Sequence, residues 1–128
     1  MSMIKDRLGM VRGLESSLAT CRSGEFRATG IEFKSLVIAG ILQDFQWTLK
    51  QLRYMIWYQL ADCVGAVEVA GMSEGRLFAL AEEKGMISSA ARWLKYFDAD
   101  YLSFSNDGFQ HTVDKVSAFV EFFRKECE

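Results

Sequence analysis

Residues 38–60 read IAGILQDFQWTLKQLRYMIWYQL, and this stretch decides the fold class. Ile38, Leu42, Phe45, Leu49, Leu52, Ile56 and Leu60 follow one another at steps of four and three. That spacing puts them on one side of a helix, as in the seam between packed helices. A strand would need apolar residues at every second position, and the chain has no such alternation of useful length. Working outward, the helix is predicted to run from Glu25 to Cys63, or to begin only after Gly30, because Gly30 and Gly40 weaken helical backbone. The chain contains no proline, so only glycine and polar clusters are left to end helices.

Four further helices follow from the same reasoning. The first runs from Met3 to Cys21, with Ile4, Leu8, Val11, Leu14 and Leu18 at helical spacing and Arg22-Ser23-Gly24 as its stop. Residues 64–71 are apolar with two glycines and read as a loop or weak turn. Ser73 caps a third helix, Glu74 to Lys84, which Gly85 ends. Ser88 or Ser89 caps a fourth, with Ala90, Trp93, Leu94 and Phe97 on one face. After a short polar stretch, where Asn106 and Asp107 can cap, the last helix runs from Phe109 to Lys125 along Val113, Val116, Val120, Phe123 and Cys127. Short connections between long helices imply antiparallel neighbours, so the expected fold is all-α, an up-and-down bundle of four to five helices in one domain of 128 residues.

Composition narrows the function classes. Half the residues are hydrophobic and a quarter are charged, which suits a soluble globular domain. The net charge of −2 gives no general pull toward nucleic acid. The first 27 residues are locally basic (Lys5, Arg7, Arg12, Arg22, Arg27), which reads as a solvated helix face before a phosphate site. Cys21, Cys63 and Cys127 are odd in number and far apart, which suits a reducing cytoplasm and buried or inert thiols. With His111 the only histidine there is no zinc ligand set, and no metal or cofactor is expected. No secretion or membrane signal is expected, since Val37 to Leu42 is too short and interrupted an apolar run to span a bilayer. Glu82-Glu83 and Asp98/Asp100 read as solvated or helix-ending carboxylates, not as an acid–base pair.

A second stripe lies on the long helix: Trp47, Tyr54 and Tyr58, beside Trp57. A helix that is apolar on two faces is central in its bundle, is covered by a partner, or lines a ligand pocket. All three readings stay open at this point. Interface cores favour aromatics. A base-stacking surface would want more interleaved cations than Lys50 and Arg53.

The blocks Leu42–Arg53 and Arg76–Phe97 together resemble the nucleotidyltransferase substrate-binding proteins of the wider HEPN group. Leu42, Gln43, Phe45, Gln46 and Thr48 match the family's second-helix signature, with Gln46 in place of Glu. Arg76, Gly85-Met86-Ile87 and Trp93 match its helix-opening Arg, its Gly-Leu-Ile turn and its Trp. The resemblance implies a helical bundle, a homodimer and a small nucleotidyltransferase as protein partner, often encoded on bacterial mobile or accessory DNA. Active members carry an Arg-x4-His arrangement after the Trp helix, suited to RNA cleavage: the Arg holds the phosphate and the His moves protons. Here the aligned positions are Asp100, Tyr101 and Ser105. Asp100 repels phosphate, and Ser105 does not shuttle protons near neutral pH. The expectation is therefore a non-catalytic binding module. The alternatives are a ribonuclease with a relocated site, built on His111 with Arg92 or Arg76, and a small-molecule binder with a pocket lined by Trp47, Trp57, Phe97 and Phe104.

Overall fold

The computed structural model describes residues 9–21, 31–98, 101 and 108–128. The starts expected at Met3 and Glu25, the stop at Arg22-Ser23-Gly24 and the caps at Asn106 and Asp107 lie outside the described residues. So do Ile4, Leu8, Lys5, Arg7 and Arg27. Six α-helices occur among those described: α1 Arg12–Cys21, α2 Ile31–Val64, α3 Ala66–Ala70, α4 Glu74–Glu83, α5 Ala90–Phe97 and α6 Gly108–Glu126. The fold is an all-α helical bundle, with no strand among the described residues.

The long helix α2 buries Ile41, Phe45, Thr48, Leu52, Met55, Ile56 and Leu60. The buried face is thus turned slightly from the expected seam: Ile41, Thr48 and Met55 join it, while Leu42 and Leu49 are only half-buried. A straight helix has 3.6 residues per turn, so a strict alternation of four and three drifts off any one face. Thr48 is tolerated in the core because its hydroxyl donates to the Asp44 carbonyl at 2.8 Å.

Gly65 ends α2 with φ of 99°, a conformation that side chains disfavour. The segment expected as a loop then closes one further helical turn, α3. The Val69 amide donates to the Gly65 carbonyl at 3.3 Å, and the Val69 side chain is buried. Ser73 caps α4 as expected, its hydroxyl accepting from the Arg76 amide at 3.3 Å. At the other end the Met86 amide donates to the Ala81 carbonyl and the Gly85 amide to the Glu82 carbonyl. With Gly85 at φ 76° this is a Schellman ending, and it folds Met86 and Ile87 into the core. Ser89, not Ser88, caps α5.

α6 lies alongside α1 in the opposite sense. Arg124 near its end meets Glu15 at 3.6 Å, and Leu18 shares a surface hollow with Ser117 and Val120. α5 also opposes α6, as Trp93 packs on Phe122 and Phe123 and Tyr96 on Phe119. Phe45 of α2 meets Phe119 edge-on at 5.1 Å. One hydrophobic cluster takes side chains from all six of these helices. No described helix is long and apolar enough to cross a membrane.

Candidate functional site

A cavity of about 320 Å³ opens between α2, the start of α4, α5 and Tyr101. Its rings are Phe45, Tyr96, Phe97 and Tyr101, and its charged groups are Lys50, Arg53, Glu74 and Asp98. Phe45 reaches it from the buried face of α2 and Leu49 from the edge of that face, while Lys50 and Arg53 flank it toward solvent. Tyr96 and Tyr101 meet edge-on at 5.0 Å. The Tyr101 hydroxyl donates to the Lys115 carbonyl at 2.7 Å, tying this wall to α6. Burial raises the pKa of Tyr101, and Tyr96 adds to the effect. Burial also raises Tyr96, with Arg92 opposing. Both phenols therefore stay protonated at neutral pH and act as donors, not bases.

The Arg53 guanidinium meets Glu74 at 3.6 Å, and both side chains are partly exposed. A second cavity, of about 330 Å³, lies between α2, α3 and α4 and is lined by Tyr54, Trp57, Val69 and Leu77. Arg53 and Glu74 line both spaces, so the ion pair stands between them.

Of Asp100, Tyr101 and Ser105, the first and last lie outside the described residues. Tyr101 is buried with its hydroxyl committed to α6. Among the rings expected to line a pocket, Phe97 lines the first cavity and Trp57 the second. Trp47 lines neither, and Phe104 is not described. The aromatic stripe of α2 turns away from the core: Trp47 is 60% exposed, Tyr58 64% and Tyr54 44%, with Leu36 at 71%. Those three rings are thus not part of the chain's own core. Trp57 differs, being half-buried and packed against the core.

None of the hollows described here is lined by His111 together with Arg76 or Arg92. Arg76 is exposed in the first turn of α4, beside a hollow lined by Val67, Glu68, Gly71, Met72 and Ser73 that does not include His111. Arg92 is exposed in the first turn of α5, where its amide donates to the Ser89 hydroxyl. His111 is half-buried on α6.

The motif residues behind the resemblance have structural work here. Trp93 is fully buried, and its indole Nε1–H donates to the Glu126 carboxylate at 2.7 Å. The same carboxylate accepts from the Ser88 amide at 3.1 Å and the Ser88 hydroxyl at 2.6 Å. Glu82, read above as solvated, is exposed but accepts from the Ala90 amide at 2.6 Å and so helps cap α5. Glu126 was missed at the sequence level. The available signal was an acidic residue in the last turn of a helix, where the dipole disfavours one. Of the cysteines, Cys21 is buried as expected, Cys127 is partly buried and Cys63 is exposed. Among the described residues no three His, Cys, Asp or Glu side chains are grouped to hold a metal ion.

Neither a scan of protein-family models nor searches of curated proteins and of solved structures returned a match to this chain.

Proposed function

We propose that the protein is a non-catalytic helical binding module that works through the outer face of α2, pairing there with a second copy of itself. The observation that carries this reading is the exposed strip Leu36, Trp47, Tyr54 and Tyr58. At roughly 100° per residue these four fall within about 40° of one another, about half a turn from Phe45, Leu52 and Ile56. The strip runs for about 33 Å at 1.5 Å per residue. The residues between its members on the same face are Gly40, Gln43 and Gln51, and Lys50 stands at the edge, over the Tyr54 ring. Charge depletion with aromatic enrichment marks the core of an interface, whereas a solvated face would be charged.

Magnitudes favour association. Large aromatics bury about 150–250 Å² each when covered, so the exposed parts of the four side chains supply roughly 450 Å². That lies within the patch size of about 300–600 Å² that is often functional on a monomer. A stable interface takes about 800 Å² from each partner, so the flanking amide and glycine positions must join the contact. The resemblance to the nucleotidyltransferase substrate-binding family supports the same reading: it implies a homodimer, and a small nucleotidyltransferase as the protein such a dimer would serve in the cytoplasm.

Light scattering after size-exclusion chromatography tests this. The wild type should elute at twice the 14.5 kDa chain mass, and Trp47→Glu with Tyr58→Glu should elute as a folded monomer. A wild-type chain that is monomeric at about 100 μM, far above the Kd expected of a stable pair, would refute the proposal.

A further inference from the structure

We infer that the cavity between α2, α4 and α5 is a binding site for a small planar aromatic anion. This goes beyond the association reading and does not depend on it. The cavity faces roughly 120° around α2 from the exposed strip, taking the mean direction of Gln46, Leu49 and Arg53 against that of Trp47 and Tyr54.

Its size, about 320 Å³, is at the small end of ligand pockets. Its body is aromatic, with Phe45, Tyr96, Phe97 and Tyr101 all presenting rings to it. Tyr96 and Tyr101 are held in place by edge-on packing and, for Tyr101, by the bond to the Lys115 carbonyl. The walls are therefore fixed before a ligand arrives, which lowers the ordering cost of binding. A flat ring is the shape that edge and face contacts with such walls reward.

The sign of the ligand's charge follows from which groups are already engaged. Glu74 is paired with Arg53, and Asp98 has an interaction of its own. Lys50 makes only a distant contact over the Tyr54 ring, at 5.9 Å, and no ion pair among the described residues. Arg53 meets its carboxylate at 3.6 Å, beyond the usual length of a charge-assisted hydrogen bond, and keeps donors to spare. Lys50, with the spare donors of Arg53, is thus the cationic face that the cavity offers a ligand. Lys50 and Arg53 are three residues apart on one helix face and can share one anionic group.

Two naphthalene dyes serve as probes. 8-Anilinonaphthalene-1-sulfonate carries the anion, and N-phenyl-1-naphthylamine is nearly the same shape without it. Fluorescence titration of the folded full chain should show saturable binding of the sulfonate. Lys50→Glu should weaken that binding about tenfold or more, the loss expected of a contact to a charged group. Lys125→Glu, an equal charge change on exposed α6 surface, should alter it less than about twofold. The neutral dye should bind wild type and Lys50→Glu alike. Three results overturn the inference: no saturable sulfonate binding, equal loss in the Lys50 and Lys125 variants, or equal loss of both dyes in Lys50→Glu. Circular dichroism of each variant verifies that it is folded, and both lysines are exposed, so neither change disturbs the core.

Discussion

Replacing Glu126 with alanine should be among the most damaging single changes available outside the hydrophobic core. Its carboxylate accepts three hydrogen bonds, from the Trp93 indole and from the amide and hydroxyl of Ser88. Ser88 is exposed and can turn to water, so its two lost bonds cost at most about 0.5–1.5 kcal/mol each. Trp93 is fully buried, and its N–H would be left without a partner at a cost of about 1–3 kcal/mol. The sum expected is about 2–6 kcal/mol, a large share of the roughly 5–15 kcal/mol that holds such a domain folded. For a chain of this size each kcal/mol moves Tm by roughly 4 °C, so the drop should be roughly 8–24 °C. Thermal unfolding followed by circular dichroism, paired with urea titration, measures both quantities. Glu121→Ala is the control: that carboxylate meets Arg124 at 4.0 Å on the surface, and its loss should cost less than about 0.5 kcal/mol. Glu126→Gln keeps one acceptor oxygen and should recover about half the loss, since its amide group now faces Ser88. If Glu126→Ala unfolds within 0.5 kcal/mol of wild type, or no more easily than the control, the latch is not holding the α4–α5 turn and the reasoning fails.

Gly85→Ala should destabilise by about 1 kcal/mol through backbone strain alone, because φ is 76° and an added Cβ meets nothing within 4 Å. Gly71→Ala, at φ −88° with equal space, should be neutral within about 0.5 kcal/mol in the same urea titration. Burial, with Glu126 adding, pushes the Cys127 thiol from its usual 9.0 up to about 11. Its neutral form is the one the fold favours, so its contribution to stability is complete below pH 9 and is lost as pH rises through about 11. Tyr96 and Tyr101 are raised too and act with the same sign. Urea midpoints should therefore hold steady up to about pH 9 and fall beyond it, and a midpoint that rises there would contradict this. Thiol labelling at about pH 8 should reach exposed Cys63 well before Cys127 or buried Cys21, as peptide mass mapping would show.

Much of the fold was legible because it rests on local rules. The seam of α2, the Ser73 cap and the glycine ending at Gly85 each follow from a few neighbouring residues and a backbone preference. The errors came where one turn of helix competes with a loop: residues 66–70 are apolar and short, and burial of Val69 tips the balance. The choice between Ser88 and Ser89 could not be made locally, because Glu126, 38 residues away, claims Ser88. The candidate site was less legible. Trp47, Tyr54 and Tyr58 showed as a second apolar stripe, but nothing in their spacing says whether that stripe faces a core or solvent. The cavity joins Phe45 and Lys50 to Phe97 and Tyr101, residues about 50 positions apart that only tertiary packing brings together. Tyr101, singled out in the sequence for other reasons, is part of the cavity wall.

The three tryptophans occupy three different surroundings: Trp93 sealed inside and bonded to a carboxylate, Trp57 half covered, and Trp47 in water. Each therefore emits with its own colour and its own access to a quencher such as iodide. Single-tryptophan versions of the chain would give a separate optical channel for the interior, for the flank of α2 and for its outer strip. Unfolding and association could then be timed independently in one sample, without any attached label.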